Sequence, residues 1–176
     1  MADQEHRKIL EYDVKKLNEW RHRNSDIKLN LTSSYLSGVD LSFANLSEAD
    51  LSEADLTEAN LSFANLAKAN LTGANLAGAN LTRANLTGAS LTGANLTGTD
   101  LTRADLTGVG LTGAVLTRVN LSGAIISATV FSSKSQIDIL TIPLLEEQIS
   151  GARFLDEEAR YREKKKEREE KGHLKN

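Results

Sequence analysis

Few residues in this chain are of types that do covalent chemistry. The three histidines, His6, His22 and His173, sit toward the two ends, and no nucleophile–base pair or phosphate-binding loop accompanies them. Asp50, Glu53 and Asp55 lie close together, but no dense oxygen-ligand loop with Ca²⁺ spacing appears around them. Cysteine is absent, which removes disulfides, thiolate metal sites and thiol redox chemistry. Neither an enzyme nor a cofactor nor a bound metal is expected. Recognition is the chemistry that remains. Phe43, Phe63, Arg83 and Arg103 recur at intervals of twenty, and aromatic and arginine side chains are common anchors of protein contacts.

The meaning of that interval depends on the elements that carry it. Leucine occupies every fifth position from Leu31 to Leu121, and Ile126 and Phe131 continue the register. Two residues before each stands a small one, usually alanine (Ala44, Ala49, Ala54), elsewhere Val39, Thr99, Val109 or Val119. The residue between is mostly Asn or Asp, and the one after is mostly Ser or Thr. Period five fits neither a helix at 3.6 nor a strand at 2. It suits a coil in which each pentapeptide makes one side and a turn makes each corner. Four sides close a square of twenty residues, and stacked coils bond along the axis at roughly 4.8 Å. Leu41, Leu46, Leu51, Leu56, Leu61, Leu66, Leu71, Leu76, Leu81 and Leu86 are therefore expected in one dry core. Residues twenty apart lie above one another, which puts Phe43, Phe63, Arg83 and Arg103 on one outward ladder, the candidate partner-contact face.

The unit A-(N/D)-L-(S/T)-x occurs twenty-one times when imperfect ends are counted. It resembles the pentapeptide-repeat family. The resemblance implies an all-β solenoid, a right-handed quadrilateral β-helix, here of about five coils. Some members of that family imitate duplex DNA and bind type II topoisomerases, so a gyrase-binding mimic is the alternative function. Duplex DNA carries about one charge per 1.7 Å. Five coils span about 24 Å at the sheet spacing, so imitation needs on the order of fourteen negative charges. From Leu29 to Phe131 there are eight acids against four bases, with no acid from Asn60 to Thr99. Charge speaks against mimicry. A rigid protein–protein interaction scaffold with an unidentified protein partner is the expected role. Ice binding through Thr72, Thr92 and Thr112 is the remote alternative, because threonine is also an ordinary corner residue.

Nine repeats end in glycine, among them Gly38, Gly73, Gly88 and Gly123. If that position is third in a four-residue turn, glycine permits the φ > 0 of a type II corner. Ser42-Phe43, Ser47-Glu48, Ser52-Glu53 and Ala67-Lys68 are expected to prefer a turn with both central residues at φ < 0. The turn type should then change near residue 70. The Asn and Asp positions are expected to bond neighbouring backbone at the corners.

Residues 1–28 read as a helical cap. One amphipathic helix is expected from Asp3, its N-cap, to about Arg23, with Leu10, Val14 and Leu17 as its stripe, Ile9 and Trp20 beside it, and Asn24 at C′. Terminal repeats need capping, so the stripe should cover Leu29, Leu31 and Leu36. The β-helix takes residues 29–133. Residues 134–151, apolar around Pro143, read as a lid or a dimer surface, so the chain is expected to be a monomer or a dimer through this C-terminal segment. Ala152-Arg153-Phe154 reads as a stray repeat at the head of a charged helical or disordered tail, 152–176. Net charge is −3 and the tail's signs balance, so no direct nucleic-acid binding is expected. No apolar run reaches the roughly 20 residues that span a bilayer, and no secretory signal opens the chain. The expectation is no membrane insertion and a cytoplasmic location.

Overall fold

A computed structural model describes residues 6, 8, 13–132 and 153–154. Parallel bridges join residues twenty apart: Asn30 with Asp50, Tyr35 with Asp55, Asp40 with Asn60, Asn45 with Asn65, and onward to Asp105 with Ile125. One lap is therefore twenty residues, with one bridge from each pentapeptide. Extended segments are brief because a corner follows every side. β1 (Gly110–Leu111) pairs in parallel with β2 (Val130–Phe131), and β2 with β3 (Arg153–Phe154). Val130 aligns with Arg153 and Phe131 with Phe154. The stray repeat is thus one more rung, twenty-three residues on from its partner where the other rungs are twenty apart. The expected lid at 134–151 and the rest of the tail lie outside the described residues.

Each side turns one leucine and one small residue inward. All ten leucines from Leu41 to Leu86 are buried, as are Ala44, Ala49 and their successors. Two threonines take the small position without leaving a polar group stranded. The Thr99 hydroxyl donates to the Leu76 carbonyl at 2.8 Å, and that of Thr129 to Leu106 at 2.7 Å. A buried hydroxyl without such a partner would destabilise the interior.

The corners correct one expectation. Ala44 N–H donates to the Leu41 carbonyl at 3.1 Å, closing a turn whose third residue, Phe43, has φ 61°. Gly73, at the equivalent place, has φ 68°. Corners from Ser33 to Ala128 all fall between 54° and 71°, and the second turn residue is never at positive φ. The turn is of the type II kind throughout, and nothing changes near residue 70. The cause is the stacking. From Ser33 to Gly108 each corner N–H donates to a carbonyl nineteen residues on, as Phe43 does to Ser62 at 3.0 Å and Gly73 to Thr92 at 2.9 Å, and Gly113 donates to the Ser132 hydroxyl at 2.7 Å. That bond fixes the corner whatever the side chain, and non-glycine residues accept left-handed strain of about 1–2 kcal/mol each.

The Asn/Asp expectation holds. Asp40 Oδ1 accepts the Ser42 N–H at 3.0 Å, and Asp55 Oδ1 accepts both the N–H (3.1 Å) and the hydroxyl (2.6 Å) of Thr57. Along a column, Asn60 donates to Asp40 and Asn95 to Asn75, both at 3.0 Å.

The N-terminal helix is interrupted, since His6 and Lys8 are helical but Asp13 is not. α1 spans Val14–Arg23, and Asp13 before it is extended (φ −178°) with its carboxylate accepting the Lys16 N–H at 2.7 Å. A single helix from Asp3 is therefore overturned. The short Asp side chain satisfies a helix N-terminus better than it serves a helix interior. Asp3, Ile9 and Leu10 lie outside the described residues. Asn24 ends α1 at φ −127°, not in the left-handed region, and both its N–H and its side-chain amide donate to the Trp20 carbonyl. Leu17 joins the core, with Val14 and Trp20 packed against it. Buried Arg21 donates to the carbonyls of Ile27 (2.8 Å) and Ser47 (2.9 Å), which fastens α1 to the first laps.

Candidate functional site

The corner position is the most variable outward place on each side, because the leucine and the small residue are buried and most Asn/Asp residues bond the turn; Tyr35, Val115 and Ile125 are the exposed apolar departures at the Asn/Asp position. The described non-glycine corners are Ser33, Phe43, Glu48, Glu53, Glu58, Phe63, Lys68, Arg83, Arg103, Arg118 and Ala128. Lys68 and Glu48, one lap apart, meet at 3.8 Å, and both are well exposed. Such a pair contributes little, roughly 0–1 kcal/mol.

The four residues singled out from the sequence share one corner, and three of them are in contact. The rings of Phe43 and Phe63 stack in parallel, 4.9 Å between centroids and 9° between planes. The Arg83 guanidinium lies over Phe63, 5.5 Å from its centroid. Arg103 occupies the next rung, and its side chain runs toward Gly123 on the rung after that. Phe43 is 63 % exposed and Phe63 is 44 % exposed. The stack therefore hides little apolar surface while holding two bulky residues at left-handed φ.

Residues that the sequence reading assigned only to the cap extend this site. α1 and the Ser42–Phe43 corner flank an open groove of about 640 Å³, lined by Val14, Lys15, Asn18, Glu19, His22, Arg23, Ser42 and Phe43. Asn18 ties α1 to the corner backbone. In later laps the N–H at this position bonds a carbonyl twenty-one residues back, as Asn65 does with Ala44 at 2.9 Å. The first lap has no lap before it, so the Asn45 N–H bonds Asn18 Oδ1 at 2.7 Å, while Asn18 Nδ2 donates to the Phe43 carbonyl at 3.0 Å. A polar residue on the presumed solvent side of a helix gave no sign of this from sequence.

The charges around the ladder are unevenly engaged. Glu19 faces Arg23 at 4.0 Å. The backbone N–H and hydroxyl of Ser42 hold the Asp40 carboxyl below its ordinary range. The hydroxyl and N–H of Thr57 do the same for Asp55. Burial pulls Asp50 upward, but Ser52 and the Lys28 ammonium, 3.6 Å away, outweigh it and leave it lowered. Among the described residues no His, Cys, Asp or Glu group of three is placed to hold a metal, and no helix is long and apolar enough to cross a membrane.

A family model described as pentapeptide repeats matches residues 34–73, 69–108 and 99–132, with eight copies. A pentapeptide repeat protein from the cyanobacterium Cyanothece 51142 is 28 % identical, covers 65 % of this chain and 92 % of its own, and superposes with a TM-score of 0.51. One from the Arabidopsis thaliana thylakoid lumen is 26 % identical over 68 % of this chain and 70 % of its own, with a TM-score of 0.41. HetL of Nostoc sp. strain PCC 7120, described as a pentapeptide repeat protein involved in heterocyst differentiation regulation, is 31 % identical over 60 % of each chain, with a TM-score of 0.30. No curated protein matches.

Proposed function

The chain belongs to the pentapeptide repeat family of right-handed β-helix solenoids, and from that premise we propose that it is a cytoplasmic, non-enzymatic interaction scaffold. Its rigid body is a four-sided column of about five coils, with α1 over the open end. Its contact strip is the ladder of Phe43, Phe63, Arg83 and Arg103.

One observation carries this reading: the Phe43–Phe63 stack sits where the fold asks for no side chain. Glycine fills the same corner at Gly123 with φ 66°. Two left-handed phenylalanines cost about 2–4 kcal/mol together. Their stacking returns about 0.5–1.5 kcal/mol, and half-exposed rings add little burial. Stability alone does not favour them. A partner that covers the rings does. The alternative, a DNA mimic directed at gyrase, needs acids along the whole column. Between Asn60 and Thr99 the charged corners are instead Lys68 and Arg83.

A pull-down comparing the wild type with Phe43→Gly/Phe63→Gly tests the strip. Glycine suits these corners, so the column should persist while a specific partner is lost. An identical set of partners for both proteins would remove the ladder from consideration.

A further inference from the structure

The ladder and the groove under α1 form one continuous strip. Phe63 is covered on one side by Phe43 and on the other by Arg83. Phe43 is stacked on Phe63 and lines the groove. The end of the stack is thus an aromatic ring beside a cleft large enough for one more side chain. The outward cations of the strip, Lys15, Arg83 and Arg103, form no ion pair among the described residues, whereas Glu19 is matched by Arg23. Three acids flank the strip, Asp40, Asp100 and Asp105. Each has Oδ1 turned back to the N–H of the second turn residue, from Ser42, Thr102 and Thr107 respectively.

Resting on the scaffold reading above, we propose that the strip docks an extended peptide segment of a partner protein, with one aromatic side chain in the α1 groove against Phe43 and acidic side chains on Arg83 and Arg103. The spacing sets the register. Counted from the groove, one rung before Phe43, Arg83 stands three rungs away and Arg103 four, about 14 and 19 Å at the sheet spacing. An extended chain advances roughly 3.3 Å per residue and turns alternate side chains to the same face, so the acids fall about four and six residues from the aromatic one. An aromatic ring meets Phe43 in the offset or edge-on way that aromatic pairs favour. Two carboxylates meet arginines, whose planar forks suit them.

The test uses the full chain and a fluorescein-labelled synthetic peptide, Trp-Gly-Ser-Gly-Glu-Ser-Glu-Gly, read by anisotropy at low and high salt. The proposal expects saturable binding that is at least about tenfold weaker for the Gln-Gln version of the peptide and that weakens with salt. It expects a similar loss with Arg83→Gly/Arg103→Gly and with Phe43→Gly, and no loss with Glu53→Gly on another corner. Circular dichroism checks that each variant is folded. No saturable binding, equal binding of the neutral peptide, or binding indifferent to the ladder variants overturns the proposal. So does tighter binding of single-stranded oligo(dT), which would make the strip a base-stacking surface for nucleic acid. Should the peptide fail while the Phe43→Gly/Phe63→Gly pull-down still loses a partner, the scaffold reading stands and only this partner chemistry falls.

Discussion

At the level of single residues, the corner separates what the fold requires from what the surface displays. Arg118 has φ 58°. Relieving it with Arg118→Gly should raise stability by about 1 kcal/mol, the left-handed strain removed less the extra freedom glycine gains on unfolding. The same change at Phe63 should be nearly neutral, because the lost stack with Phe43 and Arg83 offsets the gain. Urea midpoints at constant m-value measure both. A larger gain at Phe63 than at Arg118 would show that the stack does not stabilise the column. The ladder itself was legible from the interval of twenty between Phe43 and Phe63. The uniform positive φ was not. Turn propensity assigns Phe43 and Glu53 to other turn types, and that preference is overridden by an inter-lap hydrogen bond that the primary sequence does not display.

At the level of elements, α1 and the Asp-centred corners make opposite demands on charge. Arg21 supplies donors to Ile27 and Ser47 that no lap provides. Arg21→Ala should therefore lower stability by about 2 kcal/mol, with amide exchange accelerating first in residues 27–47. The Asp-centred corners make a pH prediction. The carboxyls of Asp40, Asp50 and Asp55 are all held below the ordinary aspartate value of 3.8. A carboxyl whose folded pKa is depressed stabilises the fold above its unfolded value, and that contribution disappears as pH falls below 3.8 through the folded pKa. The thermal midpoint should fall on acidification in that range. Asp40→Asn/Asp50→Asn/Asp55→Asn should flatten the fall, since Asn60, Asn70 and Asn75 already serve the same turns. An unaltered profile would assign acid loss to other groups. In the sequence, the apolar stripe of α1 was visible through Val14 and Leu17. Its true start was hidden because Asp13 looks like one polar residue among many on a helix face.

At the level of the whole molecule, stability is a neighbour-to-neighbour property. Leu76→Ala should cost about 2–5 kcal/mol, read by urea unfolding, because the void falls between laps that depend on each other. Leucine spacing made the column legible from end to end. The twenty-three-residue step from β2 to β3 was not, since the sequence between them keeps no repeat. One feature, the mismatch between a repeating unit of five residues and a stacking lap of twenty, bears on how such a chain can change in length. Adding one unit, for instance Ala-Asn-Leu-Thr-Gly after Gly73, leaves the hydrophobic interior unbroken but swings everything beyond it by a quarter turn. The Arg83 guanidinium would then sit above Lys68 instead of Phe63. Growth or loss by single units rewrites the exterior while sparing the core, and only steps of four units preserve both.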